Sequence, residues 1–358
     1  DTDDQIDIEI AGADDFQFTA NKFTVASGSE IVTASAGTSN TRLGVNAGNS
    51  IASGGNYNVT IGDEAGTAIT TGDNNTFVGY GSGDANTTAS NNTAVGYDAF
   101  TTNSTGAENT ALGSYALDAN TTANYNTAIG HQSLGANTTG ADNTAVGNSA
   151  LTANTTASNG TAVGKSAAAA VTTGANNTAM GYNALLVDTT GAENVAIGSY
   201  ALDANTTAHY NTAVGHQALG ANTTGSSNTA VGNSALTANT TGGSSVAVGN
   251  NALDAQTTGN FNSALGFNAL TANTTASQNT ALGGYALEAN TTAARNTGVG
   301  AFALRVNTTG AYNTAVGALA LDANTTASAN VAVGYDAMTA NTTGAGNVAV
   351  GAYALDAN

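Results

Sequence analysis

The phrase Asn-Thr-Ala-Val-Gly returns every 17 residues, its last glycine falling at 62, 79, 96 and onward to Gly351 without insertion or deletion. The eighteen glycines mark eighteen coils. Such a chain is confined to architectures in which one short unit stacks on the next. A looser copy, Asn40-Thr41-Arg42-Leu43-Gly44, sits 18 residues before Gly62 and opens the array. With the glycine as position zero, the consensus coil reads N-T-A-V-G-x-x-A-L-x-A-N-T-T-G-x-x.

A coil of this length holds no pair of useful helices, and Val, Gly, Thr and Asn are poor helix formers. Stacking instead turns every position into a row, with short strands pairing in parallel from coil to coil. Position −1 is Val, Ile, Leu or Met in every coil (Ile61, Val95, Met180), and position +4 is mostly Leu (Leu117, Leu202, Leu304). These two rows are expected to form the core, each large side chain contributing about 1.5–3 kcal/mol on burial. Along the Thr-Ala-Val-Gly strand, Val faces one side and Ala with Gly the other. The Ala face is then expected to be a smooth surface suited to close contact with another subunit.

The polar rows fit the same stack. Asn occupies position −4 in sixteen of eighteen coils and recurs at +7 (Asn120, Asn137, Asn205), where amides can bond along the axis. Thr at +9, from Thr71 to Thr343, suits a β-branched ladder on a strand. The invariant glycine suits a corner with positive φ or close backbone approach. Acids at +5 (Asp84, Asp118, Asp203, Asp254, Glu288, Asp322, Asp356) never occupy two successive coils, as stacked like charges would repel. Arg305 stands between Glu288 and Asp322 in that row.

The expected fold is therefore all-β, a parallel β-solenoid of about eighteen 17-residue coils over residues 40–358. At strand spacing this is a rod roughly 85 Å long. Residues 1–39 lack the repeat; Ile6, Ile8 and Ile10 alternate there, followed by Phe16, Phe18 and Phe23, which predicts two or three strands forming an N-terminal β cap or connector. A longer duplication overlies the repeat, Gly106–Thr156 matching Gly191–Thr241 at an offset of 85 residues, or five coils. The chain starts at Asp1 without an initiator Met and stops in mid-coil at Asn358. We expect the natural protein to continue, or the open end to be covered by another subunit.

Five Lys and Arg against 24 Asp and Glu leave a net charge of −19, which argues against nucleic acid and anionic membranes as partners. Gly, Asn and Thr interrupt every apolar run, so no membrane span is expected. No motif carries catalysis, a cofactor or a metal. Gly164-Lys165-Ser166 has Asn159 where a phosphate loop needs glycine. His131, His209 and His216 lack ligand spacing, and the row shared by Glu108 and Asp142 offers carboxylate pairs by chance. We expect no enzyme activity and no cofactor.

Aromatic residues gather in the variable rows. The candidate surface-binding residues are Tyr97, Tyr182 and Phe267 at +1, Tyr115, Tyr200 and Tyr285 at +2, and Tyr125, Tyr210 and Tyr312 at −5.

The repeat resembles the left-handed parallel β-roll head of trimeric autotransporter adhesins (YadA-like), best at Asn194-Val195-Ala196-Ile197-Gly198 and Ser245-Val246-Ala247-Val248-Gly249. Arrays of Asn-Thr-Ala-Val-Gly are also similar to those of phage tail fibres. The resemblance covers residues 40–358; the adhesin coil is usually shorter, and the resemblance does not extend to an autotransporter stalk or anchor within residues 1–358. It implies a homotrimeric, extracellular, non-enzymatic fibre or adhesin rod, a virion appendage or cell-surface protein. Such a rod attaches to a host cell through a glycan or protein receptor. A structural subunit of an extracellular filament and an ice-binding solenoid are the alternatives.

Overall fold

The structure, a computed structural model, describes residues 6–10, 13–19, 22–25 and 36–356. Strands β1 (Ile6–Ile10), β2 (Ala13–Thr19) and β3 (Lys22–Val25) form an antiparallel sheet in sequence order, with Ile8 opposite Phe16 and Phe18 opposite Phe23. Their side chains, and with them the expected buried face, lie outside the described part.

From β4 (Thr41–Leu43) and β5 (Val59–Ile61) to β22 (Val348–Val350), each coil supplies one three-residue strand, and no helix occurs among the described residues. Every strand pairs in parallel with the strands before and after it, in register, so that Thr144, Ala145 and Val146 lie beside Thr161, Ala162 and Val163. The stack is a parallel β-solenoid, as the 17-residue period predicts. The remainder of each coil is turn and bend held by bonds between coils, for example Leu236 N–H to the Ala252 carbonyl at 3.0 Å. The Thr row at +9 lies in such a bend, not on a strand.

The core corrects one expectation. In the strands from β5 to β22 the middle residue is buried and its two neighbours are partly or fully exposed: Ala94, Ala145 and Ala213 have no accessible surface. The Ala row at −2 thus faces inward, against the buried Ala of +3 and Leu of +4, while the Val row at −1 faces outward. The cause is the narrow section of a 17-residue coil. One wall of Leu already fills it, leaving room only for methyl groups opposite. The pairing is visible where it is inverted. Phe77 takes the −2 position in one coil, and that coil carries Gly83 at +4, where an added Cβ would sit 2.7 Å from the Phe77 ring.

Two amide rows share the interior. At −4, each Asn Oδ1 accepts the backbone N–H of the corresponding residue one coil on, as from Asn228 to Asn211 at 3.0 Å. Its Nδ2 closes its own coil by donating across 14 residues, as from Asn211 to the Gly225 carbonyl at 2.9 Å. At +7, side chain bonds to side chain: Asn120 donates to Asn103 at 3.0 Å, Asn137 to Asn120 at 3.0 Å and Asn154 to Asn137 at 2.8 Å. Both rows are buried and bonded, as buried amides must be.

Corners are made from left-handed backbone. The invariant glycine has φ near +140°, and at Gly147 an added Cβ would stand 2.4 Å from the Gly164 carbonyl oxygen. More surprising is the Leu row at +4, which also sits at positive φ (Leu117 +51°, Leu236 +52°). A left-handed Leu costs about 1–2 kcal/mol, less than the roughly 1.5–3 kcal/mol its burial returns.

Candidate binding surfaces

Three outward surfaces follow from these rows. The first is the outer face of the sheet, formed by Thr, Val or, once, Ser at −3 and Val, Ile, Leu or Met at −1. Its apolar side chains are well exposed at Leu112, Met180, Ile197, Leu265 and Leu282. An apolar ladder therefore runs the length of the rod. The Ala face expected to meet another subunit is in fact interior; the face available for contact is the Val face.

The second surface is the turn after the glycine, where rows +1 and +2 of successive coils interleave. Tyr97 stacks on Tyr80 at 5.3 Å between ring centroids and meets Tyr115 edge-on at 5.5 Å; Tyr115 meets His131 edge-on at 6.1 Å. Tyr182, Tyr200 and His216 repeat this one duplication later, at 5.3 and 6.2 Å. Phe267, Tyr285 and Phe302 make a third cluster and Tyr335 with Tyr353 a fourth. The +1 rings are about half exposed, whereas Tyr115, Tyr200 and Tyr285 are partly covered by their neighbours. Sequence spacing shows these rows separately; only stacking shows that they merge into patches.

Half-buried carboxylates line the same side. Burial is the main cause that raises Asp84, Asp118, Asp203, Asp254 and Asp322 above the ordinary carboxylate range; backbone hydrogen bonds offset part of it at Asp84, Asp118 and Asp203 and the Arg305 charge part of it at Asp322. Arg305 Nε lies 3.1 Å from Asp322, the pairing that the +5 row predicts.

The third surface combines the exposed Thr at +9 with the −5 row, where Tyr125, Tyr210 and Tyr312 are more than half exposed. These rings do not join the clusters: Tyr210 contacts His209, and Tyr312 lies under the Arg295 guanidinium, which also bonds its hydroxyl. The neighbouring Thr row at +8 points its hydroxyls at the next coil, Thr138 to the Thr155 carbonyl at 2.9 Å, so one Thr row of the two is free outward.

The histidines are spread over these surfaces. His131 and His216 edge the clusters, and His209 Nδ1 accepts the Ala192 N–H at 2.9 Å. Among the described residues no group of three or more His, Cys, Asp or Glu is placed to hold a metal ion, and no helix is long and apolar enough to cross a membrane. No protein-family model matches the chain, and neither a curated protein nor a solved structure matches it.

Proposed function

We propose that this protein is a non-enzymatic extracellular rod, a fibre or adhesin of the left-handed β-roll kind whose repeated surface attaches to a host cell or receptor. The observation that carries the reading is the apolar ladder on the outer face of the sheet. A ladder of this length calls for a partner of equal length and pitch, and another copy of the chain has both. Side-by-side association as a homotrimer covers the Val face and leaves the aromatic patches outward for attachment. The −19 charge keeps nucleic acid and anionic membranes away.

Light scattering on the native chain tests this. A mass near three times 34.7 kDa supports it, and Val146→Lys with Val163→Lys, on adjacent strands inside the ladder, should return a monomer. A monomeric native chain refutes it, whereas an open-ended mass distribution means a filament subunit. The unbroken run of exposed Thr from Thr71 to Thr343 favours a second reading, ice binding. Against it, a planar ice contact needs a second matched row, and the adjacent −5 row varies through Glu108, Tyr125, Asp142 and Asn159. Absence of thermal hysteresis would end that reading.

A further inference from the structure

Beside the first aromatic cluster, the stack leaves a groove. It has a volume of about 430 Å³ and is lined by Tyr115, Asp118, Gln132, Gly135, Ala136 and Thr152, drawn from three successive coils. The opening is made at Gly135. Position +5 is otherwise filled by Thr, Asp, Glu, Ala, Leu or Arg, and glycine stands there in two coils, at Gly135 and Gly220. A Cβ on Gly135 would already approach the Asp118 carboxylate to 3.3 Å.

The second glycine brings the whole set with it. Tyr200, Asp203, Gln217, Gly220, Ala221 and Thr237 repeat the six lining residues 85 positions later. The frame repeats as well: Ala119 N–H bonds the Gly135 carbonyl at 3.1 Å and Ala204 N–H bonds that of Gly220 at 3.1 Å. Tyr115 meets His131 at 6.1 Å and 89°, and Tyr200 meets His216 at 6.2 Å and 85°. A third aromatic cluster shows the closed form. There Tyr285 and Glu288 are followed by Arg305, whose guanidinium lies 5.4 Å from the Phe302 ring and pairs with Asp322.

We propose that the grooves at Gly135 and Gly220 are two equivalent binding sites for neutral saccharide units of one extended glycan. The proposal rests on the attachment reading above and names the ligand class for it. A partly covered tyrosine offers its ring to the apolar face of a pyranose. A carboxylate accepts from neighbouring hydroxyls, and the adjacent glutamine amide supplies a donor and an acceptor. The volume is within the range of small-ligand sites, and the groove is open, so a sugar within a longer chain can enter sideways. Asp118, Asp203 and the −19 net charge disfavour sialylated or sulfated glycans. Five coils separate the sites by roughly 24 Å, a span that a glycan of several units bridges.

Isothermal titration of the full chain with tetrasaccharides of glucose, mannose and galactose, and with sialyllactose, tests this. A neutral tetrasaccharide should bind two sites per chain with a dissociation constant of ~1 mM or tighter, and sialyllactose should not. Gly135→Leu or Gly220→Leu should leave one site and the double variant none; Leu186 already occupies this position in another coil. Gln132→Ala with Gln217→Ala, which alters side chains at the groove edge, should weaken binding at least ~10-fold without changing the melting temperature. Failure of all three neutral probes to bind the native chain overturns the proposal, as does binding that survives both leucines or both alanines. None of these results changes the native mass, so the rod reading stands or falls separately.

Discussion

Replacing Asp188 with asparagine should remove a pH-dependent weakness at the middle of the rod. Asp188 occupies position +7, the row of the buried amide ladder, and has no accessible surface. Oδ1 accepts the Gly191 N–H at 2.9 Å, while Oδ2 has no hydrogen-bond partner. Val171 precedes it in the row and offers no polar group, so the ladder that runs from Asn86 through Asn154 is cut here and resumes at Asn205. Burial pushes the carboxyl from its ordinary 3.8 to about 7, hydrogen bonding, chiefly from Gly191, offsetting only part of the effect. Because the folded pKa is the higher one, the folded chain binds the extra proton between the two values, and stability falls as pH rises through that window. A shift of this size corresponds to about 4 kcal/mol in total. Between pH 5 and pH 8 the loss is on the order of 2–3 kcal/mol, and above pH 8 little more is lost. A solenoid coil touches only its neighbours, so the loss appears as local opening. The assay is amide hydrogen exchange at Leu185 and Thr189, whose N–H groups bond the next coil at 2.9 Å each. With Asp188→Asn as the reference for base-catalysed exchange, protection in the native chain should fall by one to two orders of magnitude more between pH 5 and pH 8. The variant should resemble Asn137 and its neighbours, donating to residue 191 and accepting from Asn205. Equal pH dependence in the two proteins would refute the reasoning.

Other perturbations have equally definite outcomes. Leu236→Ala should cost about 2–5 kcal/mol in thermal or denaturant unfolding. Leu236→Gly should be no worse, and up to about 1 kcal/mol milder, because alanine keeps the left-handed strain that glycine relieves; a much weaker glycine variant would contradict the positive φ of this row. Gly147→Ala forces a methyl against the Gly164 carbonyl and should cost on the order of 3 kcal/mol or more, read as loss of protection in the two adjoining coils. Asn137→Ala strands the Asn120 acceptor and an Asn154 donor in the interior, at about 1–3 kcal/mol for each group, and should lower the midpoint of urea unfolding.

The period, the parallel stacking, the amide rows and the glycine corner were all legible in the sequence, because each depends only on which residue recurs at which interval. A Thr-Ala-Val strand also announces that Ala and Val point in opposite directions. It does not say which of them points inward. That is a question of volume across the coil, and the Leu at +4 answers it only once the two walls are seen to face each other. A trace was nonetheless present in the sequence: Phe77 and Gly83 exchange large for small within one coil, as do Thr60 and Gly66 in the coil before, a compensation possible only between positions that meet in the core. The aromatic rows could be counted residue by residue, yet their merging into patches depends on the one-coil offset between +1 and +2. The groove is hidden in the same way. Gly135 reads as one more variable position until Asp118, one coil before, and Thr152, one coil after, are seen to line the opening with it. Side-chain direction and cross-section are properties of the stack, and a repeat unit taken alone contains neither.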